Sequence, residues 1–298
     1  MRVFVTGASG YIGTAVVKNL VEGGHTVTGL FHNPEKETLL KNLGAKSVQG
    51  DLRTPQAWAR QAAENEAIIH TAAEMGPDMA KIDRGVVECL LESMTTQGIT
   101  QSFVYTSGVW VLGKTSGIPV DEDSPADKPF PMVAWRPSVE QLALGGGNGH
   151  FSTAVVRPGL VYGGKAGILS SLWNDAATKG VVTYVGEGTN FWSLIHREDL
   201  ASLYRVILEK KSTGIFHGVD GSPLQYILIA KTISHSAGMN GDVHSWHVDD
   251  ARKVMGPFAD ALALNQEVKA TRALGLGWKP KRSTFLQAAA ETFEEWKA

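Results

Sequence analysis

Arg2-Val3-Phe4-Val5-Thr6-Gly7-Ala8-Ser9-Gly10-Tyr11-Ile12-Gly13 sets the architecture of this chain. Arg2 to Thr6, apolar or β-branched at four of the five positions, read as a strand. They run straight into glycines at positions 7, 10 and 13, and an amphipathic pattern over Tyr11–Glu22 then reads as a helix. Glycine at this spacing has three physical uses. The turn from strand to helix is tight, a pyrophosphate must approach bare backbone, and the helix must pack closely on the strand. The helix start then presents unpaired N–H groups and the positive end of its dipole to an anion. A glycine motif alone is weak evidence. Here a strand precedes it, a helix follows, and a second strand, Thr26–Phe31, comes after that helix. Gly7, Ser9, Gly10, Tyr11, Ile12 and Gly13 are therefore assigned to a phosphate-binding turn for a dinucleotide.

Beyond this turn, short apolar runs alternate with helical stretches. Strands are expected at Lys46–Gln49, Ala67–His70, Ser102–Thr106 and Ser152–Val156. Helices are expected at Glu35–Leu43, Pro55–Glu64, Met79–Gln97 and Val133–Leu144, the last with its start drawn toward Arg136 by Pro137. Such alternation gives an α/β fold, a Rossmann-type doubly wound parallel sheet with helices on both faces. Beyond about residue 160 the alternation loosens, Gly, Trp and Pro become more frequent, and helices such as Arg197–Leu208 and Thr284–Trp296 dominate. The expected division is a dinucleotide-binding domain over 1–160, with a return segment near 190–220. Residues 161–298 form a smaller, mainly substrate-binding C-terminal lobe.

The chain has 298 residues, 43% of them hydrophobic, and a formal net charge of −2. No block of like charge suggests nucleic acid or an anionic membrane surface. The single cysteine, Cys89, rules out an internal disulfide and a cysteine-based metal site, and reads as a small packed residue. No metal is expected. No apolar run approaches the roughly 20 residues that span a bilayer. The expected partner is a small-molecule substrate, with neither nucleic acid nor membrane, on a cytoplasmic monomer or homodimer.

The tip of the second strand sets the choice of cofactor. An acid there grips the ribose 2′-hydroxyl of NAD, whereas basic or donor groups accommodate the 2′-phosphate of NADP. The strand ends in His32-Asn33-Pro34-Glu35-Lys36, with no acid at the tip itself. His32 and Asn33 offer donors and Lys36 a charge one turn away, so NADP(H) is expected in preference to NAD(H).

Further motifs follow in order: Gly50-Asp51-Leu52, His70-Thr71-Ala72-Ala73, Phe103-Val104-Tyr105-Thr106-Ser107, Arg157-Pro158-Gly159-Leu160-Val161-Tyr162-Gly163, His196-Arg197-Glu198-Asp199-Leu200-Ala201 and Leu276-Gly277-Trp278-Lys279-Pro280. Together with the glycine turn they resemble the extended or atypical short-chain dehydrogenase/reductases, of the NAD(P)-dependent epimerase/dehydratase kind, over nearly the whole chain. The resemblance implies that Asp51 holds the adenine, with Leu52 beside it. It implies that Thr71, Ala72 and Ala73 pass the cofactor ribose, and that Pro158, Gly159 and Leu160 cradle the nicotinamide end. His196 and Asp199 are read as bracing the helix that follows them, and Trp278 as core.

The family's catalytic pattern fails here. Its members carry Tyr-x-x-x-Lys, often followed four residues later by a glutamate. In Met132-Val133-Ala134-Trp135-Arg136-Pro137-Ser138-Val139-Glu140, Glu140 fits the glutamate, which puts Arg136 on the lysine position and Met132 on the tyrosine position. Gly108 stands where the catalytic serine usually does, one residue after Ser107. A guanidinium can bind ribose hydroxyls but is a poor proton shuttle, and methionine transfers no proton. Thr106 and Ser107, at the C-terminal end of a strand where open α/β sheets bind ligands, are candidate catalytic groups alongside Arg136 and Tyr162. His196 and Tyr184 are further candidates, and Tyr105 reads as packed. The segments that the family places around its substrate contribute Trp110, Met132, Trp135, Trp173, Tyr184, Phe191 and Trp192, some to line the cleft and some to form the core of the lobe.

The leading reading is an NADP(H)-dependent oxidoreductase acting on a carbonyl, alcohol or activated alkene. An epimerase, dehydratase or isomerase on the same fold is an alternative. A non-catalytic sensor of the dinucleotide is another, favoured by the missing Tyr–Lys pair and disfavoured by the aromatic segments.

Overall fold

The computed structural model describes residues 1–298 except Asn148 and Ser283. Its first half runs β1 (Arg2–Thr6), α1 (Tyr11–Glu22), β2 (Thr26–Phe31), α2 (Glu37–Asn42), β3 (Lys46–Gln49), α3 (Ala59–Ala62), β4 (Ala67–His70), α4 (Met79–Gln97), β5 (Ser102–Thr106), α5 (Arg136–Gly145) and β6 (Ser152–Pro158). The remainder runs β7 (Leu160–Tyr162), α6 (Ile168–Lys179), β8 (Val182–Val185), β9 (Phe191–Trp192), β10 (Leu194–His196), α7 (Arg197–Glu209), β11 (Gly214–Gly218), β12 (Leu224–Gln225), α8 (Tyr226–Ser236), β13 (Val243–Trp246), α9 (Val248–Met255), α10 (Phe258–Leu262), α11 (Thr271–Gly275) and α12 (Phe285–Lys297).

Seven strands form one sheet in the order β11-β6-β5-β4-β1-β2-β3, and every pair is parallel. Strands covered on both faces must be apolar throughout, which is why Ala67-Ile68-Ile69-His70 is buried at every position. Two apolar layers sandwich the sheet. One packs α1 and α7 through Val16, Leu20, Leu203 and Tyr204. The other packs α4 and α5 through Val86, Leu90, Val139 and Ala143. The strand order reverses between β1 and β4, and that switch point opens a crevice beyond their C-terminal ends. Strand β11 completes the sheet beside β6. A third core, built from Trp173, Trp192, Tyr226 and Phe285, belongs to the C-terminal lobe. Among the described residues no helix is long and apolar enough to cross a membrane.

Several expected helices are shorter than their patterns. Pro34–Lys36 and Pro55–Ala57 are single tight turns ahead of α2 and α3, because proline with a fixed φ starts a turn but donates no hydrogen bond. Pro131–Val133 is likewise a separate turn, so Met132 lies outside α5, which starts at Arg136. His196 caps α7 by accepting from the Glu198 N–H. Asp199 serves a longer-range contact. Its carboxylate accepts the backbone N–H groups of Lys281 (2.9 Å) and Arg282 (3.0 Å), tying the loop before α12 to α7. Trp278 is core, with its indole N–H on the Ser202 hydroxyl.

Glu140 of α5 and Arg157 of β6 form a fully buried bidentate pair at 2.6 and 3.0 Å. Two charges in the interior stabilise one another only as a pair, and a survivor without its partner is strongly unfavourable. Glu140→Ala is expected to destabilise the fold by about 3–5 kcal/mol, read by urea denaturation. A change below about 1 kcal/mol would mean that the pair behaves like a solvated one.

Candidate functional site

The glycine turn is built by close approach. Gly7 has φ +64°, and an added Cβ would lie 2.7 Å from the Ala72 backbone. At Gly13 a Cβ would stand 2.0 Å from the Gly7 carbonyl oxygen, so only glycine lets α1 seat on the turn. Gly10 is the N-cap of α1. It offers no side chain to the first N–H groups, and the first turn carries no acid. The dipole end is thus left to an outside anion. Above it runs a groove of about 550 Å³ lined by Gly7, Ser9, Gly10, Tyr11, Ile12, Gly13, His32, Leu52, Thr71, Ala72 and Ala73. Leu30, Phe31, Gly50 and Met75 complete the lining and were not among the expected residues. The strand pattern signalled Leu30 and Phe31 only as core, and loop residue Met75 carries no periodic signal.

Three expected cofactor residues are placed differently. Asn33 turns its amide oxygen to the Glu35 N–H at 3.0 Å, capping its own turn, and lies outside the groove lining together with exposed Lys36. Asp51 also lies outside that lining. One of its oxygens accepts the Arg53 N–H at 2.8 Å and the other stands 3.9 Å from His32 Nδ1. Polar residues after a strand tip close their own turns first, so of the three donors expected at the tip His32 alone faces the groove.

At the other end, β5 and β6 finish side by side. The Ser107 N–H donates to the Val156 carbonyl, and a Cβ on Gly108 would lie 4.0 Å from the Pro158 oxygen. Pro158 and Gly159 are buried and Leu160 is half-buried at this edge. The Tyr11 hydroxyl donates to the Gly163 carbonyl at 2.8 Å, joining the phosphate turn to the turn beyond β7. Arg136, at the start of α5, donates from Nη1 to the Thr106 carbonyl (3.1 Å) and the Tyr105 hydroxyl (3.2 Å), and stacks on Trp135.

The strand alternation separates the candidate hydroxyls. Thr106 points to the α7 face, where it bonds the Tyr204 hydroxyl at 2.7 Å, so it is removed from the catalytic set. Ser107 is buried, and its Oγ has no partner among the described residues. Tyr162 is also removed. It is wholly buried edge-on between His196 and Phe285 in the lobe core, where burial pushes its phenol far above the usual range. Trp192 and Tyr184 belong to that core as well, Trp192 stacked on Tyr226 and bonded to the Leu262 carbonyl, rather than to a cleft wall. Trp173 is likewise interior. Trp110, which packs on Phe130 and Phe258, remains at the seam between the sheet's end and the lobe, and half-buried Met132 and Trp135 follow Phe130 in the chain. His196 is held by Glu295 of α12 at 3.1 Å, a structural tie.

Asp220 was not anticipated. It follows β11 by two residues, its backbone N–H bonded to the Leu194 carbonyl. One carboxyl oxygen accepts the Ser222 N–H, and the other has no partner among the described residues. Burial pushes this carboxyl up to about 7. The folded protein therefore holds a proton that the unfolded chain releases near the ordinary Asp value of about 3.9. Stability from this group is present below about pH 4 and is lost as pH rises through about 7. The isosteric variant Asp220→Asn should gain stability relative to wild type across that window, levelling at about 2–4 kcal/mol above it. Thermal melts at pH 4 to 9 measure this, and a pH-independent difference would contradict it.

The model of the NAD dependent epimerase/dehydratase family matches residues 3–217. The uncharacterized protein YLL056C of Saccharomyces cerevisiae is 34% identical over 304 residues, spanning 96% of this chain and 97% of its own. A Dictyostelium discoideum sterol-4-alpha-carboxylate 3-dehydrogenase, decarboxylating, is 27% identical over 242 residues, 76% of this chain and 73% of its own. Among solved structures, the human epimerase family protein SDR39U1 (isoform 2), determined with NADPH, superposes with a TM-score of 0.83 at 22% identity over 99% of each chain.

Proposed function

The chain belongs to the NAD dependent epimerase/dehydratase family, and on that basis we propose that it is an NADP(H)-dependent oxidoreductase acting on a small, moderately apolar carbonyl, alcohol or activated alkene. The observation that carries the dinucleotide is the uncapped N-terminus of α1 facing a groove whose floor admits no side chain at Gly7 or Gly13. The phosphates would lie on the Ser9–Gly13 backbone, the ribose along Thr71–Ala73 and the nicotinamide end by Pro158–Leu160. When bound there, the cofactor supplies or accepts hydride at the end of β5 and β6. The preference for NADP(H) rests on His32, the groove-facing donor at the tip of β2. The sterol dehydrogenase is a relative whose name states a redox reaction, which supports the oxidoreductase reading, while relatives named as UDP-glucose 4-epimerases keep an epimerase as the alternative.

The chain's own groups divide the work without a Tyr–Lys pair. Ser107 has a buried hydroxyl with no other bond among the described residues, suited to donate to a substrate oxygen as negative charge develops there. Arg136 holds the ribose, since Nε and Nη2 make no hydrogen bond among the described residues. It stays charged throughout and moves no proton. Trp110 supplies an apolar wall beside the reacting oxygen.

Isothermal calorimetry should give a lower dissociation constant for NADPH than for NADH, and Gly10→Val should abolish binding of both. The nearest atom to a Cβ at Gly10 is the Gly7 oxygen at 3.0 Å, so the fold survives while the phosphate space is filled. Equal affinities would contradict the NADP preference, and a Gly10→Val variant that still binds would move the phosphates elsewhere. Ser107→Ala should lower turnover of any active carbonyl by about 10²–10³-fold with little change in NADPH affinity. An unchanged rate would remove Ser107 from the chemistry. Tight NADPH binding with no turnover across a carbonyl panel would favour a sensor.

A further inference from the structure

Parallel strands set register partners on the same face of a sheet, and one row here is polar. Thr6 on β1 is the register partner of His70 on β4, and His70 that of Tyr105 on β5. All three are buried, in strands that are otherwise almost wholly apolar. Asp83, buried on α4, closes over the row. The Tyr105 hydroxyl donates to Asp83 Oδ2 at 2.6 Å, and His70 Nε2 stands 3.4 Å from Asp83 Oδ1. The Thr6 hydroxyl lies 2.6 Å from His70 Nδ1 and accepts the Ala72 N–H at 3.4 Å. Burial acts to raise the Asp83 carboxyl, but the hydrogen bond and charge interaction with His70, followed by the charge of Arg136 and the Tyr105 hydrogen bond, outweigh it and hold it below the usual carboxylate range.

Four buried polar groups on four elements are expensive unless each is bonded, and phenylalanine in place of Tyr105 would fill the same space with no such demand. The row ends on Arg136. With its proton given to ionised Asp83, the Tyr105 oxygen has lone pairs left to accept from Arg136 Nη1 at 3.2 Å. The Thr106 carbonyl fixes the same nitrogen at 3.1 Å, and the Trp135 ring covers the guanidinium at 4.5 Å. An arginine side chain has several rotatable bonds. Three contacts, backed by a buried negative charge, hold this one in a single orientation at the end of β5.

We propose that Tyr105 and Asp83 are positioning residues that orient Arg136 toward the cofactor ribose, so that a buried relay fixes the direction of a planar guanidinium. The inference rests on the dinucleotide-binding reading above. The relay starts at Thr6, immediately before Gly7, and touches Ala72. It therefore also joins the phosphate turn and the ribose-side segment to the group at the far end of the cofactor.

The test is a double-mutant cycle on NADPH dissociation constants, measured by calorimetry for wild type, Tyr105→Phe, Arg136→Ala and the double variant. Tyr105→Phe is expected to weaken binding by about 10-fold, the scale of one hydrogen bond to a charged group. Arg136→Ala should weaken it further, and the double variant should bind like Arg136→Ala alone. A structural role for Tyr105 would reduce binding equally in both backgrounds, and that additivity, or no effect of Tyr105→Phe in wild type, would overturn the proposal. Asp83→Asn keeps the shape, removes the charge and should weaken NADPH binding in the same way; full affinity in a folded Asp83→Asn variant would take Asp83 out of the relay. A wild type that binds neither NADPH nor NADH would instead defeat the dinucleotide reading, and this inference with it.

Discussion

Everything at the mouth of this sheet follows from one close approach, that of α1 to the turn after β1. A methyl group on Gly13 would stand 2.0 Å from the Gly7 oxygen, and one on Gly7 would meet the Ala72 backbone at 2.7 Å. Because neither position carries a side chain, the helix sits low on the turn, the loop after β4 closes against it, and the helix dipole ends at a bare surface rather than inside a cap. The strand order then places this surface at the switch point of the sheet, where crevices form. Tyr11 extends the arrangement by bonding Gly163 across the crevice.

Polar groups inside the apolar sheet are kept by pairing them across elements. The Glu140–Arg157 pair bolts α5 to β6, and the Thr6–His70–Asp83–Tyr105 row ends beneath Arg136 at the start of the same helix. Helix α5 is thereby fixed to the sheet at two charged points. Under the reading in which Arg136 stands where the family carries a lysine, this support is one that a guanidinium needs and a compact ammonium does not, because a planar fork must be oriented to be useful. The Thr106 hydroxyl, one residue further along β5, faces the opposite layer and serves Tyr204.

Much of the fold was legible in the sequence, because it was written in periods. The first two strands and α1 fall on the expected residues, as do β3, β4, β5 and α4. Helix starts were less legible where proline split a short turn from the helix, as at Pro34, Pro55 and Pro131. The glycine turn was readable since only glycine meets its steric demands. The catalytic end was not, for reasons of direction. Sequence placed Thr106 and Ser107 at the ligand-binding end of β5 and Tyr162 in the nicotinamide turn, but which way each hydroxyl points depends on strand alternation and lobe packing. Those turn Thr106 toward Tyr204 and Tyr162 toward Phe285. Asp83, Tyr105 and Asp220 were missed in function because their partners come from other elements, 13 to 31 residues away for the relay. The one available signal was polar residues inside apolar strands.

A nicotinamide dinucleotide lying across the C-terminal ends of β1, β4, β5 and β6 would shield backbone at several places far apart in the chain. Amide hydrogen exchange with and without NADPH is the most direct test, because it reads the whole chain at once. Protection should concentrate in four separated segments: the turn and first helical residues around Gly10–Gly13, the Thr71–Ala73 segment, the start of α5 at Arg136, and Gly159–Leu160. Exchange unchanged in these segments under NADPH concentrations that bind, or protection confined to the C-terminal lobe, would contradict that placement.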